Sequence, residues 1–190
     1  MASKKAGKTH PNLPPNLPKY YSYRMAWARI KTAMEQGFYL EVVAIAEAII
    51  ADRLTSQIYR LGQRPPKNHF SQLIQCWKKC FTEDPTLPDA DLLKEAKALI
   101  EEIDAWRQCR NRVVHGIVQN KQGQYASYRH PDPSADNQPD ISDFLATAQQ
   151  AALTGRSLAR RLSAWDPKLA TLLKASPNTS FLEEALSKEL

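Results

Sequence analysis

The segment Trp106-Arg-Gln-Cys-Arg-Asn-Arg-Val-Val-His-Gly116 brings three arginines, an asparagine and a histidine together in one short stretch. From Ala105 to Pro131 the chain carries Arg107, Arg110, Arg112, Lys121 and Arg129 and no carboxylate. A histidine in so basic a neighbourhood has the minimal equipment for transphosphorylation of RNA. The imidazole moves a proton at the 2′-hydroxyl or the leaving 5′-oxygen, and a guanidinium holds the charged phosphorane. No metal ion or other cofactor is needed for that chemistry. A lone helical histidine is more often a surface residue or a satisfied core residue, but His115 comes with Arg110, Asn111 and Arg112.

Two charges fall where a helical period calls for apolar side chains. Glu47 is the only charged residue between Val42 and Ala51, and Arg110 lies seven residues after Ile103 and seven before Ile117. At about 100° per residue, Arg110 belongs to the apolar stripe of its own helix. An unpaired ion in either place would cost several kcal/mol, roughly, so each requires a partner. Two readings stand side by side. Glu47 and Arg110 form a structural ion pair, or Arg110 reaches a cleft where an anion binds and Glu47 orients it. Asn111 and His115 lie seven and eleven residues after Asp104, each within about 20° of it around a helix. One edge of that helix is therefore polar.

These residues must be held by a scaffold, and composition limits its kind. The chain has 190 residues, 43% hydrophobic and 24% charged, which is one domain's worth with enough apolar surface for a core. No apolar run approaches the ~18 residues that cross a bilayer, and the opening MASKKAGKTHPNLPP has charges without an apolar stretch behind them. The expectation is a cytoplasmic protein with no membrane partner. The net charge of +6 and a pI near 9.2 favour anionic partners, nucleic acid among them. Cys76, Cys80 and Cys109 are few and odd in number, which argues against a disulfide framework.

The 13 prolines cluster, and because proline breaks a helix interior they leave four proline-free stretches, 19–64, 67–84, 89–130 and 140–166. In Tyr39–Leu61 the residues Val43, Ile50, Leu54, Ile58 and Leu61 recur at helical spacing, and Val42, Ile45 and Ile49 widen the stripe until it nearly encircles the helix. That helix should be central. A helix over about 23–36 precedes it and ends at Gly37. Asn68 suits the N-cap of a helix bearing Phe70, Leu73, Ile74, Trp77 and Phe81. Asp89 or Asp91 opens the longest one, another runs from about Ile141 to Leu162, and two short ones follow Asp166 and Thr179. Gln124–Tyr128 is the one place for a short extended pair. The expected class is all-α, a bundle of four or five main helices. Residues 1–18 form a disordered or extended arm, 19–165 the helical domain, and 166–190 short C-terminal helices packed on it or flexible.

Arg110-Asn111-x-x-x-His115 resembles the R-N-x-x-x-H signature of HEPN-superfamily domains, and Glu47 with Asp52-Arg53-Leu54 is similar to the E-x-x-x-x-D-R-L phrase of many such domains. The resemblance covers roughly residues 24–162. It implies a compact helical bundle, in many members a metal-independent endoribonuclease, often the toxin of a toxin–antitoxin pair or part of a defence against phage. It makes His115 the general acid or base, Arg110 the phosphate-binding group, Asn111 the residue that orients substrate or histidine, and Glu47 the supporting acid. It also implies RNA as substrate, a homodimer whose two motifs face one another, and a cognate antitoxin protein as a possible partner. Some members keep the fold as catalytically silent binding modules. Independently of the family, Arg110 and His115 are five residues apart, about 140° around an ideal helix, so one copy points them apart unless the last turn distorts at Gly116.

Other candidates weigh less. Cys76 and Cys80, with His69 or Cys109, lack the second pair that a structural zinc site needs. Between Arg53 and Thr82 stand Arg53, Arg60, Arg64, Lys67, Lys78 and Lys79 without a carboxylate, either a solvated surface or an RNA-tracking face. In the long polar segment 119–140, Tyr125, Tyr128 and Arg129 are suited to stack on bases, together with the contact residue His130. Arg107, Arg112, Lys121 and Arg129 complete the expected RNA-binding set.

Overall fold

The computed structural model describes residues 17–67, 69–82, 90–116 and 141–175. Their regular structure is entirely helical: α1 Leu17–Glu35, α2 Tyr39–Arg60, α3 Phe70–Thr82, α4 Ala90–Gly116, α5 Ile141–Ala164 and the shorter α6 Asp166–Ala175. The described residues form an all-α bundle of five long helices and one shorter one. α1 begins at Leu17, within the expected arm and well before residue 23, because Pro18 falls in the first turn, where its missing N–H would have had no intrahelical partner. The Gln124–Tyr128 pair and the helix after Thr179 lie outside the described residues, as does Asn68.

α1 and α2 stop in the same way. Gly37 and Gly62 take φ of 73° and 72°, a left-handed conformation that costs glycine little. The amides after them reach back, Phe38 N–H to Ala33 O at 2.8 Å and Gln63 N–H to Ile58 O at 3.1 Å, and satisfy carbonyls at the helix ends. α2 then runs through the middle of the bundle, against α1, α3 and, most extensively, α5. Its wide stripe supplies Val42, Val43, Ala46, Ile49, Ile50, Leu54 and Ile58 to the core. Trp77, Phe81 and Trp165 close one end, with ring centroids 4.2 to 6.2 Å apart. α6 packs on the bundle through the fully buried Leu169.

Among the described residues, one polar side chain lies wholly inside. Gln57 accepts the Trp77 indole N–H at 2.9 Å and donates through its amide nitrogen to Asp166 Oδ1 at 2.9 Å and Leu162 O at 3.3 Å. Asp166 also receives Arg53 at 2.6 Å, whose guanidinium lies 4.3 Å from the centroid of the Tyr23 ring. Tyr23 in turn donates its hydroxyl to Asp52, which is also held by Lys19. The chain of contacts ties α1, α2, α3 and the α5–α6 corner together. Burial, and after it the bond to Asp52, holds the Tyr23 hydroxyl well above the usual phenol range. Burial pushes the Asp52 carboxyl up, but the bonds from Tyr23 and Lys19, with the charges of Lys19 and Arg53, outweigh it and bring it below the usual range.

These directions define a pH window. Tyr23, raised in the fold, contributes stability fully below its unfolded pKa of ~10 and loses it as pH rises beyond that value; Asp52, depressed in the fold, contributes above ~4 and loses it as pH falls. Thermal melting should therefore show a plateau between about pH 5 and 9 with a decline on each side. Tyr23→Phe should flatten the alkaline decline and, by removing one of the bonds that depress Asp52, also soften the acid one; an unchanged alkaline limb would rule out this role for Tyr23.

α4 is held against α5 at one close approach. A Cβ on Gly155 would stand 2.5 and 2.8 Å from carbons of the Trp106 ring, whose Nε1–H donates to Ala151 O at 2.8 Å. Trp106 is 3% exposed, so the ring has nowhere to go. Alanine gains ~1 kcal/mol of helix propensity over glycine, while overpacking costs roughly 1–3. Because a contact below 3 Å against a buried ring lies at the severe end, Gly155→Ala should destabilise by about 1–2 kcal/mol, read by urea unfolding. Trp106 precedes Arg110 by one turn, so this contact also sets where α4 presents its arginine.

Candidate functional site

The two charges that interrupt the apolar pattern meet. Arg110 on α4 forms a salt bridge through Nη2 to Glu47 Oε2 on α2, and its Nη1 donates to Asn111 Oδ1 at 2.6 Å. The Arg110 Nε is buried and meets no hydrogen-bonding partner among the described residues. With side chains 24% and 18% exposed, Arg110 and Glu47 are neither a sealed core pair nor a free surface pair. A carboxylate on one nitrogen and an amide oxygen on the other hold the planar guanidinium in a fixed orientation, a task for which arginine is better suited than lysine.

That guanidinium borders an open groove of about 720 Å³ at the corner between α2 and α3. α2 supplies a floor of small residues, Ala44, Ala48 and Ala51, and then Thr55 and Tyr59; the connection supplies Pro65, Pro66, Lys67 and His69; α3 supplies Phe70 and Leu73. Glu47 and Arg110 lie at the side towards α4. Ion pairing, burial of α2 against the other helices and the proline-stiffened connection together shape the cavity.

The remaining expected site residues divide. His115 is exposed near the end of α4 and does not line the groove, so Arg110 and His115 do not converge within one chain, as their angular separation requires. Arg112 is exposed. Arg107 is bound to Asp104 at 2.9 Å, and Asp104 also takes Lys78 of α3 at 3.3 Å. Burial raises the Asp104 carboxyl, but the bonds and charges of Arg107 and Lys78 prevail and hold it below the usual range. The polar edge thus splits: Asp104 fastens α4 to α3, Asn111 steadies Arg110, and His115 alone faces outward. Lys121, Tyr125, Tyr128, Arg129 and His130 lie outside the described residues.

The phrase Glu47…Asp52-Arg53-Leu54 splits as well. Glu47 reaches the Arg110 site, Leu54 is core, and Asp52 and Arg53 serve the interhelical network described above. Arg53 therefore leaves the basic run, whereas Arg60, Arg64, Lys67 and Lys79 are exposed. Cys76, Cys80 and Cys109 are half-buried thiols, and no group of three or more metal-ligating side chains occurs among the described residues. No helix among them is long and apolar enough to cross a membrane.

Sequence reasoning missed the groove and, with it, the place of His69 and Tyr59. Nothing in periodicity marks them, since the cavity arises where two helices and their connection meet. Only the Pro65-Pro66 pair, next to two cations and a histidine, hints at a fixed corner. No family model, no curated protein and no solved structure matches the chain.

Proposed function

We propose that this protein is a metal-independent endoribonuclease of HEPN type, acting as a homodimer. The observation that carries the reading is the Arg110 guanidinium, held by Glu47 and Asn111 at the edge of an open groove, five residues before an exposed His115. Arg110 binds the scissile phosphate and stabilises the charge that grows on it; His115 moves the proton at the 2′-hydroxyl or the 5′-oxygen. Because one copy of α4 turns these groups apart, the composite centre takes Arg110 and His115 from two twofold-related chains. A toxin or phage-defence role in the cytoplasm, restrained by a cognate antitoxin protein, fits such an activity.

The test is an RNA-cleavage assay on the purified protein with and without EDTA, coupled to light scattering. The expected result is a dimer at micromolar concentration that cuts RNA in chelator, leaves 2′,3′-cyclic phosphate ends, spares DNA and slows bacterial growth when expressed. A monomer would contradict the composite centre. The second reading, a silent helical module that binds a protein or nucleic acid, is favoured by the position of His115 off the groove of its own chain. It is chosen if dimeric protein leaves a range of RNAs uncut while His115→Ala weakens binding to another protein.

A further inference from the structure

We infer that the groove between Arg110 and the α2–α3 corner is a nucleotide subsite for single-stranded RNA, in which Arg110 and Lys67 hold phosphate and Tyr59, His69 and Phe70 form a surface for a base. The inference rests on RNA being the ligand, as proposed above, and adds where and by what chemistry it is held.

Four observations support it. The cavity of about 720 Å³ is within the ~300–1,000 Å³ of sites that take small molecules and nucleotides. Its lining combines rings and cations, the pairing that single-stranded nucleic acids use, because every base has a face to stack and every step a phosphate to neutralise. Tyr59 lines the groove and is 61% exposed, so its ring face is accessible to a base. Phe70 is braced edge-on by Trp106 at 6.3 Å between centroids, so its position is fixed before any ligand arrives.

Charge selects the occupant. Lys67 and Arg110 line the groove, and no carboxylate occurs in the sequence from Arg53 to Thr82. Glu47 in the lining is paired with Arg110, so the net positive charge of the groove comes from Lys67, and Arg110 adds guanidinium hydrogen-bond donors. Ala44, Ala48 and Ala51 leave room for a flat ring to approach α2. The buried Pro65 and the left-handed turn at Gly62 fix the connection, which lowers the ordering cost of binding. An acidic peptide would use the cations and leave the rings idle, so RNA accounts for more of the lining.

The experiment is fluorescence anisotropy of the full chain with a labelled eight-nucleotide RNA that is 2′-O-methylated throughout, which cannot be cleaved through a 2′-hydroxyl. Tyr59→Ala should weaken binding about 5- to 100-fold, as loss of one stacked base does, and Tyr59→Phe should not. Lys67→Ala should weaken binding and reduce the steepness of its salt dependence by roughly one phosphate contact. His69→Ala should weaken it as well, while Lys97→Ala, on a separate face of α4, should have no effect. Unaltered affinity in Tyr59→Ala and Lys67→Ala, or no binding by the wild type, overturns the subsite. Binding lost in Lys67→Ala but kept in Tyr59→Ala, with an oligoglutamate competing equally, overturns it in favour of an acidic peptide. Groove-dependent binding in a protein that cuts no RNA retains the subsite and removes the nuclease; cleavage with groove-independent binding does the reverse.

Discussion

His115→Ala should slow RNA cleavage by about 10²- to 10⁴-fold, the usual contribution of a positioned acid or base, while melting as the wild type does. The two halves of this expectation come from one fact: His115 is exposed near the end of α4, so its removal takes away the proposed proton-transfer group and no packing. Arg110→Ala should lower the rate by about 10²- to 10³-fold or more through loss of charge stabilisation, and it should also destabilise the fold. There the missing guanidinium leaves Glu47 beside the core without its counter-ion. A fully buried pair broken in this way costs about 3–5 kcal/mol and an exposed one about 0–1; with both side chains roughly a fifth exposed, about 1–3 kcal/mol is expected. Glu47→Ala should cost the fold a similar amount, and Glu47→Gln less, because the amide oxygen still accepts from Arg110. If Arg110 and His115 serve the same step, the double variant should be little slower than the worse single one. Mixing His115→Ala with Arg110→Ala chains is the sharper form of the assay. If the centre draws one residue from each chain, mixed dimers regain one intact site, and activity should reappear that neither variant shows alone. No recovery on mixing would mean that the two residues act within one chain.

What was legible in the sequence was whatever followed from local period. α2, α4 and α5 declare themselves through stripes that the core then uses, Ile50 and Leu54 in one, Ile103 and Val113 in another. The Glu47–Arg110 pair was legible for the complementary reason: a charge on an apolar stripe must find its opposite, and each helix held one such charge. α1 was clipped because a run of prolines reads as a break, although a proline in the first turn obstructs nothing. The roles of Asp52 and Arg53 were not legible, since their partners, Tyr23 and Asp166, lie on other helices and no spacing links them. The groove escaped notice for the same reason. Concavity belongs to the packing of α2, α3 and α4, and a sequence pattern records faces of single helices.

Gln57 shows how far the buried-polar argument could have been taken. It stands seven residues after Ile50 and three after Leu54, on the apolar stripe of the most buried helix, and it is 0% exposed. Gln57→Ala should be among the most damaging single substitutions in the chain. Truncation opens a cavity beneath the Trp77 ring, leaves its indole N–H without the acceptor at 2.9 Å, and removes the amide donor from Asp166 and Leu162 O. Large-to-small changes in a core cost about 2–5 kcal/mol and each stranded polar group about 1–3, and because the two losses share one site they do not simply add. An overall cost of about 3–5 kcal/mol, or a fall in Tm of roughly 10 °C for a chain of this size, is expected. Gln57→Leu separates the terms, since it restores most of the volume and none of the hydrogen bonds; it should recover part of the loss. Gln57→Glu keeps an acceptor for Trp77 but sets a second carboxylate against Asp166, a like-charge contact that Arg53 offsets in part. Its melting temperature should rise as pH is lowered from 7 towards 5, a range over which the wild type should be flat. If all three variants melt within a degree or two of the wild type, the contacts of Gln57 contribute little and the bundle is held by its apolar stripes alone.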